Sequence, residues 1–241
     1  MEENNNIKNQ VIKAKRIRIL LILCIIVMLC MIGVRTYKFM ENKKEQEYYD
    51  NLTSMKKPII YIYPQEEKEV SVKVGYPENL TCTYPKYEDG WNVIAKPDGT
   101  IKDVKTGRNL YALYWEGIRN KEGNIEEGFV VKGENVASFL EEKLEVLGLN
   151  ARESEEFIVY WLPILEKNDY NFIRFYEKEE IDEMMPLDIN PEPETIIRVL
   201  MGWKKLDKDI DIKEQKLEKV QRTGYTVVEW GGTEIRDSII K

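Results

Sequence analysis

The 241 residues contain no histidine. That absence removes Ser-His-Asp and Cys-His nucleophilic catalysis and the imidazole-bearing zinc sites. It also leaves no side chain whose unperturbed titration falls between about pH 5 and 8. Neither GxxxxGK followed by Ser or Thr nor GxGxxG occurs, so the phosphate-cradling loops of nucleotide-binding proteins are missing. Enzymatic chemistry is thereby narrowed to carboxylate, Lys, Tyr or Ser groups. Cysteine is scarce: Cys24 and Cys30 fall within one apolar run and Cys82 stands alone beyond it. No disulfide can form within the remainder of the chain, whose stability must come from packing. Low-complexity tracts and internal repeats are absent as well.

What the sequence does have is the run Ile19 to Val34, ILLILCIIVMLCMIGV, with neither charge nor proline. As a helix it extends about 24 Å, against a hydrocarbon core of about 30 Å. Lys15, Arg16 and Arg18 on one side and Arg35 and Lys38 on the other make up the difference by snorkelling. A buried core helix of this apolarity would need protein on every side, whereas its flanks are charged. A signal peptide would need small residues at its cleavage site, and Val34-Arg35-Thr36-Tyr37 supplies none. Leu23 and Leu29 precede the two cysteines where lipoprotein processing needs a small residue. The run therefore reads as an uncleaved signal anchor. Its N-terminal flank carries Lys8, Lys13, Lys15, Arg16 and Arg18 against Glu2 and Glu3, which sets the N-terminus in the cytoplasm and the C-terminal domain outside the cell membrane.

The predicted organisation is a cytoplasmic segment at 1–18, a single transmembrane helix at 19–34, a juxtamembrane stalk or linker at 35–57, and one extracytoplasmic domain at 58–241. Residues 36–57 lack glycine and proline and can continue the helix for about 30 Å, but a plain spacer is the simpler reading. Removing the +3 of the N-terminal segment and the +2 of the linker from the whole-chain −7 leaves −12 on the domain. That acidity excludes nucleic acid as a partner.

Beyond Pro58 the apolar period changes to two. Ile59 to Tyr63, Val70 to Tyr76, Leu80 to Tyr84, Trp91 to Ala95, Asn109 to Glu116 and Gly128 to Lys132 read as strands of an antiparallel meander, with a turn at Pro97-Asp98-Gly99. Helical stripes follow. Val136, Ala137, Phe139, Leu140, Leu144 and Leu147 share one face with Gly148 as a stop. Asn150 with Glu153 forms a capping box for a second helix through Phe157, Ile158 and Trp161, which Pro163 should kink or end near Leu162. Strands return at Asn171 to Tyr176, Thr195 to Trp203, Ile210 to Ile212 and Tyr225 to Trp230, with a short acidic helix at Lys178 to Met185. The expected fold is α+β: an antiparallel β-rich extracytoplasmic domain with two central amphipathic helices, preceded by the transmembrane helix.

The runs KPIIYIYP (Lys57 to Pro64), LTCTYP (Leu80 to Pro85), DGW (Asp89 to Trp91), YWEG (Tyr114 to Gly117), EFIVYWLP (Glu156 to Pro163), YNFIRF (Tyr170 to Phe175) and TVVEWGG (Thr226 to Gly232) together resemble an uncharacterised family of bacterial membrane-anchored proteins. The resemblance covers most of the domain and implies no activity, ligand or catalytic residue.

Three groups of residues are candidate sites. Asp207, Asp209, Asp211 and Glu218 fall in register with a calcium loop, but Ile212 occupies the position where the sharp turn needs glycine, and Lys208, Lys213 and Lys216 place cations inside. Glu116 and Glu229 each stand at a strand end beside a tryptophan and close before a glycine. Facing each other, they would suit glycoside hydrolysis. Trp91, Trp115 and Trp230 abut turns and offer flat surface for a sugar or a partner side chain, whereas Trp161 and Trp203 belong to apolar stripes. Cys82, alternating with Leu80 and Tyr84, reads as a small buried residue. No cofactor is implied. Two functions fit these features. One is a membrane-tethered extracytoplasmic binding or interaction module for a cell-envelope glycan or protein; the other is a cell-surface glycan hydrolase acting through Glu116 and Glu229.

Overall fold

The computed structural model describes residues 28–43, 52–120 and 125–235. Two compact units emerge, Met1–Asn51 and Leu52–Lys241. In the first, residues 28–43 form helix α1. No helix among the described residues is long and apolar enough to cross a membrane, and residues 1–27, most of the expected span included, lie outside the described residues.

In the second unit the strands are, in chain order, β1 (Leu52–Tyr63), β2 (Lys68–Val74), β3 (Leu80–Tyr84), β4 (Trp91–Ala95), β5 (Ile101–Asp103), β6 (Asn109–Leu110), β7 (Leu113–Asn120), β8 (Glu127–Lys132), β9 (Tyr170–Phe175), β10 (Leu187–Asn190), β11 (Thr195–Leu206), β12 (Lys213–Glu214) and β13 (Thr226–Glu234). Helices α2 (Val136–Val146), α3 (Ala151–Leu165) and α4 (Lys178–Met184) interrupt them. The larger sheet has eight strands in the order β12-β8-β9-β11-β13-β1-β7-β3, the smaller five in the order β10-β2-β4-β5-β6. Pairing is antiparallel except between β11 and β13 and between β12 and β8, so the fold is α+β with a mixed large sheet.

The large sheet is a middle layer because its central strands are apolar on both faces, as a sheet covered twice must be. Ile59 and Tyr61 of β1, Ile197, Val199 and Met201 of β11, and Val228 and Trp230 of β13 pack under α2 and α3. The alternate residues Ile60, Ile62, Leu113, Trp115, Leu200 and Val227 face the small sheet and α4, against Val70, Val72, Trp91, Val93 and Ile101. Each helix meets the sheet through one stripe at four-residue spacing: Val136, Leu140 and Leu144 on α2, and Phe157, Trp161 and Leu165 on α3. Burying side chains of this size contributes about 1.5–3 kcal/mol each.

The capping box forms as the sequence predicts. The Glu153 N–H donates to Asn150 Oδ1 at 3.0 Å and the Asn150 N–H to Glu153 Oε2 at 2.9 Å. Glu153 is fully buried, and the Arg222 guanidinium grips both its oxygens at 2.9 and 3.0 Å. Gly148 ends α2 with φ +86°, a conformation that costs a side-chain-bearing residue strain.

Several expectations are corrected. The run NLYALYWE is not one strand: β6 and β7 belong to different sheets, and Tyr111-Ala112 is the crossing. Tyr76 leaves its strand with φ 53°. The strand expected at Ile210 to Ile212 is displaced to Lys213–Glu214. α3 runs through Pro163 to Leu165, because Leu165 completes its buried stripe. β1 begins at Leu52, inside the segment read as linker, and its pairing with β7 starts there. The meander gives way to a sheet in which the first strand is central, flanked by β13 and β7. Cys82 is exposed, since β3 is the edge strand.

Candidate functional site

The register of β1 shifts between Met55 and Ile59 against β7 and between Lys56 and Ile59 against β13, so that β1 carries an extra residue there. Lys57 takes φ 62°, a conformation that costs a non-glycine residue strain and that concentrates where a fold re-aims a side chain. Gly231 makes this possible: a Cβ there would stand 3.1 Å from three atoms of Pro58. The bulge carries the Lys57 ammonium to the helix side of the sheet, 5.6 Å from the centre of the Tyr114 ring and 5.2 Å from that of Tyr160 on α3. Its backbone N–H donates to Glu116 Oε1 at 3.2 Å. The ammonium itself has no ion-pair partner among the described residues, whereas two tyrosine rings attract it.

Lys57 forms part of a groove of about 710 Å³ whose other walls are Ile59, Tyr111, Arg152, Glu155, Glu156, Val159, Tyr160 and Trp230. Two of these expose an apolar surface that a folded chain normally hides: Val159 is 68% accessible and Tyr111 50%. The polar groups at its base are already engaged. Tyr61 donates to Glu156 Oε2 at 2.5 Å, Trp230 Nε1 donates to the Tyr61 oxygen at 3.2 Å, and Arg152 Nε donates to Glu156 Oε1 at 2.9 Å. Arg152 also lies 5.1 Å over the Tyr111 ring. Burial first, and then the adjacent Glu156 carboxylate, push the Tyr61 hydroxyl far above its ordinary range, so it remains a donor. Burial and the hydrogen bond to Glu116 raise Tyr114 in the same way.

The expected sites fare differently. Glu116 and Glu229 are two strands apart, on β7 and β13 either side of β1, but on opposite faces of the sheet. Glu116 acts on Tyr160 and Tyr114 beneath α3. Glu229, alternating with Val228 and Trp230, points to the other side, where it accepts from Trp115 Nε1 at 2.8 Å and Arg198 Nε at 2.7 Å. The two carboxylates cannot flank one glycosidic bond, which corrects the hydrolytic pairing. Trp91, Trp115 and Trp230 are 3%, 0% and 0% exposed, so none presents a stacking face: Trp115 and Trp230 lie within β7 and β13 rather than at their ends, and all three belong to the core between the layers. Trp161 is fully buried and Trp203 half-buried. Asp207, Asp209, Asp211 and Glu218 all lie exposed along the chain around β12, and no three Asp, Glu or Cys side chains among the described residues converge to hold a metal ion.

The groove residues Lys57, Tyr111, Arg152 and Val159 escape a sequence reading based on paired carboxylates. Signals for them exist: a Lys-Pro step inside a strand, an apolar Val159 off the buried stripe of α3, and a tyrosine at the break in NLYALYWE. No protein-family model, no curated protein and no solved structure matches this chain. Fold and groove together define an α+β protein with an aromatic surface site of mixed charge.

Proposed function

We propose that the chain is a membrane-tethered extracytoplasmic binding module that holds a saccharide segment of the cell envelope in the groove between β1 and α3. The observation that carries this reading is the Lys57 bulge: backbone strain is spent on holding an ammonium, without an ion-pair partner among the described residues, between two tyrosine rings at the wall of an open groove. Tyr111 and Val159 supply flat and apolar surface beside it, and Arg152, Glu155 and Lys57 supply hydrogen-bonding edges, the combination that fits a sugar ring. Binding is favoured over hydrolysis because Glu156 is occupied by Tyr61 and Arg152 and Glu116 by the Lys57 N–H, which leaves neither as a proton donor. The tether rests on the apolar run 19–34 and its basic N-terminal flank.

The test uses the full chain in detergent with purified cell-wall glycan fragments. Retention should fall at least about tenfold for Tyr111→Ala and Lys57→Ala while the melting transition stays within a few degrees of the parent. Equal retention by both variants would remove the groove from the function. A reporter at Lys241 should be active only outside the cell; activity in the cytoplasm would reverse the topology.

A further inference from the structure

The β8 edge of the large sheet is only partly covered. β12 pairs with it over two residues, Lys213 with Glu127 and Glu214 with Gly128. The chain then leaves the edge, because Gln215 turns its side chain inward. The Gln215 amide accepts from the Phe175 N–H at 2.9 Å and donates to the Phe175 carbonyl at 2.6 Å, while its own N–H donates to the Gly128 carbonyl at 3.2 Å. Gly128 therefore directs its backbone groups outward. Alternation directs the Val130 N–H and C=O and the Lys132 N–H the same way, where no strand among the described residues follows; the Lys132 carbonyl is taken up by the turn Gly133–Asn135, and Gly133 returns to donate to Asp169 on the inner side. Open backbone of this kind is a template for another strand.

Beside this edge runs a groove of about 680 Å³, and its two walls differ in chemistry. Phe129 and Val131 face α2, and Phe139 of α2 stands against Phe129 at 5.1 Å between ring centres. Among the described residues the two cations lining the groove are both engaged: Lys143 pairs with Glu142 at 2.8 Å and lies 5.1 Å over the Phe129 ring, and Lys132 at the end of β8 reaches Glu134 at 3.9 Å. On the opposite face Ile212 packs with Phe172 and places the loop 209–212 alongside. That wall carries Asp209, Asp211 and Glu214, with no ion pair to any of them among the described residues.

We infer that the β8 edge is a docking site for an extended partner peptide in which apolar and basic residues alternate. Added beside Val130 and Lys132, such a strand would pair with the Val130 N–H and C=O and with the Lys132 N–H. Its successive side chains would point alternately to Phe139 and to the carboxylate wall. The charge of that wall selects Lys or Arg at the second set of positions. This assigns to the acidic run after Leu206 a role in peptide recognition that does not involve calcium.

The experiment uses the full chain in neutral detergent micelles, with empty micelles as blank, and a capped peptide of four Val-Lys repeats. Saturable binding should slow hydrogen exchange at the Val130 and Lys132 amides at least about tenfold and leave the β1 and β13 amides unchanged. Asp209→Asn and Asp211→Asn should each weaken binding about two- to threefold at low salt. Val130→Pro removes an edge donor and should abolish binding. Should that variant fail to fold, N-methylation of alternate peptide amides tests the same contact from the ligand side. The proposal is overturned by absence of binding, by equal binding of the N-methylated peptide, by equal binding of the Val-Glu analogue, or by protection appearing elsewhere.

Discussion

Arg198 and Glu229 stand directly opposite each other on the parallel strands β11 and β13, with the guanidinium 2.7 Å from the carboxylate and both side chains almost wholly shielded from water. They lie between the large sheet and the layer formed by the small sheet and α4. Trp115 donates to the second carboxylate oxygen at 2.8 Å, and Asp182 of α4 accepts from the far end of the guanidinium at 2.6 Å. Two charges taken out of water gain little over an apolar pair, but separating them is costly.

Glu229→Ala should therefore destabilise the fold by about 3 kcal/mol, since it removes the buried partner of Arg198 and leaves its charge only the part-exposed Asp182. The double change Arg198→Met with Glu229→Met should cost much less than the sum of the two single changes. Urea unfolding of the three variants measures this, and additive losses would show that the pair is not coupled.

Asp182 links the same network to pH. Its partial burial opposes ionisation, but hydrogen bonds from Lys178 and Arg198 outweigh this and hold the carboxyl below its ordinary value of 3.8. The unfolded chain thus binds the proton more readily, so the stabilisation is complete above about pH 4 and disappears as pH falls through the lower, folded value. Asp182→Asn should be less stable than the parent at pH 6, and the difference should vanish in strong acid. A gap independent of pH would contradict this.

The cap of α3 supplies a graded comparison. Asn150→Ala removes one hydrogen bond to the first turn and should cost about 1 kcal/mol. Glu153→Ala removes the reciprocal bond and also leaves Arg222 without its bidentate partner. It should cost more, about 3 kcal/mol, by chemical denaturation.

Gly232→Ala places a methyl group 2.5 Å from the Trp161 ring, on the side where Trp161 fills the space between α3 and β13. Overpacking of this kind costs about 1–3 kcal/mol, and the melting temperature should drop accordingly. Cys82→Ser, by contrast, touches an exposed edge residue and should change stability by less than about 0.5 kcal/mol. The Cys82 thiol of the native protein should react with a maleimide without denaturant.

A chain beginning at Pro58 should be markedly less stable than one beginning at Leu52. The shorter chain lacks the pairing of Leu52 to Met55 with Asn120 to Gly117 and loses the buried Met55. Equal cooperative melts would place the start of the domain at Pro58.

The sequence by itself determined what depends on near neighbours. Alternation marked β2, β4 and β11 to within a few residues, four-residue stripes marked α2 and α3, and Asn150 with Glu153 marked the cap, because backbone period and first-turn hydrogen bonding are local. The missing histidine excluded whole classes of chemistry without any coordinates. Only the tertiary structure decided which strands pair. Tyr61 meets Trp230 across 169 residues of chain, and no local pattern encodes that contact. The same holds for the two faces that part Glu116 from Glu229, the bulge that turns Lys57 outward, and the crossing at Tyr111. Each follows from how distant apolar faces find each other's cover. Hydrophobic burial rewards covered area without prescribing, from the sequence of either partner alone, which partner supplies it.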